Sequence, residues 1–223
     1  MPYTYDHPHP AVTVDVAVLT VEDGALKILL IRRANPPFEG DWALPGGFVD
    51  IDESLKRAAW RELAEETGVH AGYLTQLGAF GRPDRDPRER IITVAYYALL
   101  PARQLRIRAD SDAADARLFD VAALPVLAGD HGQIIARTLA SVREQSADLE
   151  LPLRLLPEAF TMSEYQVACE CVLGRSLDKR NFQKRVNAAG RLARTGDRRQ
   201  RGAHRPARLY RRREPTDGSA PIQ

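Results

Sequence analysis

Three glutamates, Glu62, Glu65 and Glu66, fall within the six-residue run RELAEE, at spacings a helix would bring onto one face. Like charges three and four residues apart destabilise a helix by roughly 0.2–0.5 kcal/mol per pair, so the cluster calls for a compensating partner. One reading is a solvated acidic face. The other is a site for a hard divalent cation, because Mg²⁺ takes oxygen ligands and is commonly held by carboxylates together with substrate phosphates.

The elements around the run decide how those side chains are presented. Leu55, Ala58, Ala59, Leu63 and, less strictly, Ala64 recur at the three-to-four residue period and predict a helix over residues 54–67. Asp50 followed by Glu53 resembles a capping box with Asp in place of Ser or Thr, and Gly68 stands just past the helix end. Leu63 then faces the core, and the three glutamates lie on a flank turned toward Gly46 and Gly47, where glycine lets the backbone bend tightly.

Upstream, AVTVDVAVLTV and LKILLIRR read as two strands of a buried sheet joined as a hairpin at EDG, with Asp15 interrupting the first. ANPPFEG must be a loop, since Pro36 and Pro37 cannot continue the pairing, and DWALPGGFVD carries a short strand into the glycine turn. Downstream, LTQLGAF and IITVAYYALL are strands around a loop bearing Arg82, Arg85, Arg88 and Arg90 against Asp84, Asp86 and Glu89. A loop so charged is often functional. ARLFDVAALPVL gives a short strand and a turn, and HGQIIARTLASVREQ an amphipathic helix, so a mixed α/β domain closes near Asp148.

The chain of 223 residues is 44% hydrophobic and 28% charged, a composition that supports a packed core. No transmembrane run is present, and MPYTYDHPHP has neither a signal-peptide pattern nor an arginine-rich amphipathic one, which leads to the expectation of a cytoplasmic protein. Cys169 and Cys171, one residue apart in YQVACECVL, read as small side chains in an apolar helix, because a metal site or disulfide framework would want more ligands at other spacings.

The net charge of +2 hides an asymmetry: residues 175–213 hold fifteen Lys and Arg against Asp178 and Asp197, whereas residues 1–174 hold seventeen basic and twenty-six acidic residues. Such a split suggests two domains with different partners, the second an anionic polymer. The segment after Asp148 reads as a helix capped by Thr161 or Ser163 and ending near Gly174, then a helix from Lys179 to Ala188 capped by Asp178, then strands Arg191 to Thr195 and Arg208 to Arg212. That is the outline of a winged helix. The expected division is therefore residues 1–148, residues 149–214, and a disordered tail over residues 215–223.

From Gly47 the chain runs five residues to Glu53, seven more to Arg61, then Arg61-Glu62-Leu63-Ala64-Glu65-Glu66-Thr67-Gly68-Val69. This resembles the signature of the Nudix hydrolases at every fixed position. The chemistry agrees: a diphosphate repels an attacking water, so its hydrolysis needs cations that neutralise oxygens and orient the nucleophile. The resemblance implies an α/β/α sandwich with a mixed sheet, Mg²⁺ or Mn²⁺ as cofactor, a structural pair of Glu53 with Arg61, and Glu62, Glu65 and Glu66 as metal ligands beside Gly47. Glu65 and Glu89 both remain open as the general base, and Glu66, Glu53 and Arg61 complete the catalytic set.

Substrate choice falls to the loop after the box. GRPDRDPRER resembles the stretch in ADP-ribose pyrophosphatase-like members and in Nudix-related transcriptional regulators of NAD metabolism, and Arg82 and Arg85 offer planar paired donors for phosphate or ribose oxygens. With the basic segment ending in RPARLY, the resemblance extends over nearly the whole chain and implies a homodimer formed through the Nudix domains. In a winged helix the second helix enters the major groove of double-stranded DNA, so Asn181, Gln183, Lys184, Arg185 and Asn187 would face it and Arg198, Arg199, Arg201 and Arg205 would contact phosphates. Two functions follow. The first is a metal-dependent pyrophosphohydrolase splitting ADP-ribose, or a related nucleoside diphosphate derivative, into AMP and a sugar phosphate. The second is an ADP-ribose-responsive repressor. Regulators of the resembled group often have a damaged box, and this one has lost no acid, which sets the enzyme first.

Overall fold

The structure, a computed structural model, describes residues 6–108, 113–200 and 206–213. A hairpin opens it: β1 (Ala11–Glu22) and β2 (Ala25–Arg33) are both dense in β-branched and aliphatic residues. They pair only near their turn, Leu19 to Glu22 against Ala25 to Ile28, and then part. Two short strands use the edges this frees: β3 (Trp42–Ala43) pairs with β2, and β4 (Gly46–Phe48) with Thr13 to Asp15 of β1. The helix α1 (Leu55–Thr67) follows. Then come β5 (Thr75–Phe80), β6 (Ile91–Leu99), β7 (Ala113–Asp120) and the helix α2 (His131–Gln145). β6 lies parallel to β1 and antiparallel to β5, and β7 runs antiparallel to β2, which completes a mixed sheet of seven strands.

Both faces of the sheet are covered, as period-two burial demands of strands apolar on each side. Val14, Val16, Val18, Val94, Tyr96 and Ala98 pack with Ala58, Ala59 and Leu63 of α1. Ala17, Leu19, Ile28, Leu30, Tyr97 and Leu99 pack with Ile134, Ile135 and Val142 of α2. The helix boundaries agree with the sequence expectation but the cap of α1 does not. Ser54, not Asp50, occupies the N-cap, its hydroxyl accepting from Arg57 N at 3.3 Å. Of the expected Asp50–Glu53 box, the half in which Asp50 N donates to Glu53 Oε1 forms, at 3.0 Å, while Glu53 N donates to the Asp50 carbonyl and not to its side chain. Gly68 ends the helix in the left-handed conformation, φ 67°, as expected of glycine there.

The basic region builds β8 (Phe160–Thr161), α3 (Met162–Leu173), α4 (Lys179–Ala189), β9 (Leu192–Arg199) and β10 (Ala207–Arg212), with β10 between β8 and β9 in a small sheet. The first of these strands is too short to leave a periodic signal, and the sequence reading passed over it. Thr161 and Glu164 form a full capping box at α3, and Asp178 accepts from Asn181 N at α4. Phe160, Tyr165, Cys169, Phe182 and Val186 make the winged-helix core. Ala168 and Val172 of α3 instead join the core that holds Leu19 and Ile134, so the two regions share buried surface. Cys169 is buried, its thiol pushed up to about 12 by desolvation, and Cys171 is half-buried; both are free. Among the described residues no helix is long and apolar enough to cross a membrane. The expected tail over residues 215–223 lies outside the described residues.

Candidate functional site

Arg61 is the hub of the acidic cluster. Its guanidinium donates to Glu53 at 2.5 and 3.2 Å, to Glu62 Oε1 at 2.7 Å, to Glu65 Oε2 at 3.2 Å and to the Phe48 carbonyl at 3.0 Å. This is the partner the clustered acids require: one cation on the helix offsets three neighbours and ties α1 to β4. The hydrogen bonds with Arg61 hold the Glu53 carboxyl below the usual carboxylate range. Glu62 goes the other way, because burial raises it by more than Arg61 lowers it. Glu65 is exposed.

Glu62 and Glu66 meet the glycine bend. A Cβ on Gly47 would stand 2.4 Å from Glu62 Oε1, so only glycine admits that carboxylate. Glu66 is buried, 6% exposed, and its Oε2 accepts from Gly46 N at 2.8 Å. Burial, reinforced by the nearby charges of Glu62 and Asp15, pushes the Glu66 carboxyl up to about 8 against one opposing hydrogen bond from Gly46. A buried acid facing two others is a place of excess negative charge.

Glu66 and the bend line a cavity of about 210 Å³, together with Asp15, Arg33, Phe48, Arg85, Arg88 and His131. The parting of β1 and β2 makes room for it. At its floor Arg85 is bound twice by Asp130, at 2.8 and 3.1 Å, and lies 3.6 Å from Asp15 Oδ2. His131 Nδ1 accepts from Leu44 N at 3.0 Å, and its Nε2 is 3.9 Å from Asp15 Oδ1. Arg88 pairs with Asp86 and lies 5.7 Å from the Phe48 ring centroid.

Of the residues singled out in sequence, Gly47, Glu53, Arg61, Glu62, Glu65 and Glu66 are thus neighbours, and Arg85 faces the same cavity as Glu66. Arg82 does not line it; it is exposed and paired with Asp84. Glu89 is exposed and lies outside it as well. Sequence reasoning missed Asp15, Arg33, Arg88, Asp130 and His131. For Asp15 a signal existed, a lone charge inside an apolar strand; for Arg88 nothing distinguished it from its loop neighbours.

On the winged helix, Lys184 is exposed on α4, with Asn181 and Asn187 exposed beside it and Gln183 half-buried. Arg198 is exposed on β9. The structure gives Arg185 and Arg199 internal partners instead. Arg185 donates to the Ala147 carbonyl at 2.7 Å, and Arg199 to Glu164 at 2.8 and 3.0 Å and to the Ala159 carbonyl. Arg201 and Arg205 lie outside the described residues.

Comparison with known proteins places this geometry. The NUDIX domain profile matches residues 9–140, and that of the NrtR DNA-binding winged helix domain matches residues 152–212. The ADPR responsive transcriptional repressor NtrR of Acinetobacter baylyi is 39% identical over 210 residues, 92% of this chain and 83% of the relative. The ADP-ribose pyrophosphatase of Methanocaldococcus jannaschii is 43% identical over 127 residues, 57% of this chain and 72% of the relative. Among solved structures, Shewanella oneidensis NrtR complexed with a 27mer DNA aligns with TM-score 0.79 at 38% identity, covering 91% of this chain and 93% of that one.

Proposed function

The chain belongs to the Nudix family, in the group that joins a Nudix domain to an NrtR-type winged helix, and from this we propose that it is an ADP-ribose-responsive transcriptional repressor. The observation that carries this reading is the similarity to a repressor over 92% of the chain, a span that takes in both the Nudix domain and the winged helix. A pyrophosphatase relative accounts for only 57% of it. The order of the two functions is therefore the reverse of the one the intact box suggested. ADP-ribose would enter the cavity of Glu66, Arg85 and Arg88, and α4 would enter the major groove with Lys184 exposed on it.

The experiment is a titration of the full chain with duplex DNA, the probe being the sequence enriched from a random library by the protein itself. Expected is binding at nanomolar concentration that weakens steeply with salt and is relieved by ADP-ribose. No enriched duplex, or one indifferent to ADP-ribose, overturns the reading.

The hydrolase remains as a second reading because a specific observation favours it: Glu53, Glu62, Glu65 and Glu66 are all present, with Glu62 and Glu66 against the glycine bend and Glu53 and Glu65 on Arg61 beside it. The donor set fits a hard divalent cation, since carboxylate oxygens are its preferred ligands and the raised Glu66 marks negative charge in want of compensation. Glu66 and Glu62, with Glu65, would hold it. Among the described residues no three acidic side chains stand already converged as a metal cluster, and Arg61 engages Glu62 and Glu65. A bound divalent cation supplies neutralisation of diphosphate oxygens and orientation of water. The chain's own residues place Glu66 against Gly46. AMP release from ADP-ribose in the presence of Mg²⁺, abolished in Glu66→Gln, is the expected result; no release from any nucleoside diphosphate derivative removes this reading.

A further inference from the structure

The helix α2 starts in the ligand cavity and ends at the root of α4. Its fifteen residues span about 22 Å at the helical rise of 1.5 Å per residue. At the first end, Asp130 occupies the N-cap, yet its side chain makes no capping hydrogen bond. Both carboxylate oxygens are taken by Arg85. Beside them Asp15, 6% exposed, keeps a buried Oδ2 with no hydrogen-bond partner. Buried polar atoms of this kind are rare and costly.

At the other end, residues just past α2 carry the winged helix. Ala147 offers its carbonyl to Arg185 of α4, and Asp148 accepts from Arg191, 3.0 Å to Oδ2, with Glu150 Oε2 at 3.2 Å from the same nitrogen. The Leu149 carbonyl accepts from Tyr165 of α3. Between the two ends Ile134, Ile135 and Val142 are fully packed, so the helix moves as one piece or not at all.

Resting on the repressor reading, we propose that Arg85 and Asp130 form a latch and that α2 carries its state to the DNA-binding helix. A diphosphate entering the cavity offers Arg85 a second bidentate acceptor, of greater charge than Asp130. Arg85 turns to the phosphates, and the freed Asp130 carboxylate folds back to cap the first amides of α2, its ordinary role at that position. The N-cap aspartate thus has two arrangements that exclude each other. The change in the first turn shifts α2 against the sheet, and the Arg185 and Arg191 contacts hand that shift to α4. An anionic ligand and an operator are coupled through Arg85, Arg185, Arg191 and one helix.

Hydrogen exchange of the full chain, with and without the non-hydrolysable α,β-methylene analogue of ADP-ribose, tests this. In the wild type the analogue slows exchange at residues 46–48, which reports binding, and changes exchange across residues 143–150 and 179–189 by about threefold or more. Asp130→Asn, which breaks the latch itself, already shows altered exchange at 179–189 without ligand, and the analogue adds no further change there. Should that variant fail to fold, the double variant Arg185→Ala/Arg191→Ala, far from the cavity, keeps the response at 46–48 and loses it at 179–189. If 179–189 responds in both variants as in the wild type, or does not respond in the wild type although 46–48 does, the latch is wrong. No response at 46–48 in the wild type overturns the ligand assignment itself, and the latch with it.

Discussion

Charge is handled in opposite ways around α1 and on α4. At α1 it is matched and largely drawn out of water: Glu53 and Glu62 close on Arg61 with the exposed Glu65 beside them, and Glu66 is buried against Gly46. On α4 and β9, Lys184 and Arg198 stand in solvent. A withdrawn charge acts at short range, and its loss is felt by the folded state. An exposed one adds to a long-range field and is felt by an anionic partner. The same residue types therefore serve stability at one end of the chain and attraction at the other.

The largest expected effect comes from removing the hub. Arg61→Ala leaves Glu53 and Glu62 without their shared cation and should be the most destabilising of these changes. Urea unfolding followed by tryptophan fluorescence measures it. A loss below about 1 kcal/mol would place α1's charges with those of α4, as surface features, and erase the contrast.

Next is the pH dependence of Glu66. Its folded value, about 8, stands above the 4.5 of the free side chain, so the folded state holds the proton more tightly than the unfolded one. The resulting stability is full below pH 4.5 and is lost as pH rises through 8. At about 1.4 kcal/mol per unit, and discounted for residual solvent access, the loss is roughly 3 kcal/mol. Glu66→Gln cannot ionise and should lack this decline, so the wild type and the variant converge at low pH and separate toward pH 9, the variant being the more stable there. Parallel curves across that range would show Glu66 to be solvated. A divalent cation should raise the midpoint of the wild type more at pH 8.5 than at pH 6, because it replaces the proton.

These two effects also mark what was legible beforehand. The stripe of α1, its acids, the Glu53–Arg61 pair and the glycine bend were readable because their spacing is local, within a few helical turns or one strand. Arg85 is held by Asp130 across 45 residues of sequence, and Leu44 binds His131 across 87. Those contacts exist because β1 and β2 part and α2 packs beneath the opening, which no local pattern encodes. Hence Arg82 and Arg85 looked alike, and only one reaches the cavity. Arg185 and Arg199 likewise looked like groove and phosphate contacts, and both are bonded within the chain, Arg185 to the Ala147 carbonyl while remaining exposed and Arg199 to Glu164. The Asp50 cap failed for a smaller reason: Ser54, four residues on, takes the N-cap, and Glu53 binds Arg61 while also accepting from Asp50 N.

A third test concerns the join between the regions. Thr161→Ala removes the hydroxyl of the capping box on α3 and should cost about 1 kcal/mol. Because Ala168 and Val172 of the same helix lie in the core with Leu19 and Ile134, thermal unfolding should stay a single transition with a lowered midpoint. Two transitions would mean that the winged helix melts by itself, and that the contrast between α1 and α4 is one between independent bodies.

The smallest effect on stability is expected where the effect on DNA is clearest. Lys184→Ala touches no buried group and should shift stability by less than about 0.5 kcal/mol. If Lys184 meets a phosphate, the slope of log affinity against log salt should become shallower by about one, and affinity should fall alike on every duplex. If it reads a base instead, the slope stays and the loss concentrates on the enriched sequence, because direct readout discriminates and phosphate contact does not. Either result keeps α4 as the DNA-facing helix; an unchanged affinity on all duplexes moves the interface elsewhere, and the exposed charge of α4 would then be solvation alone.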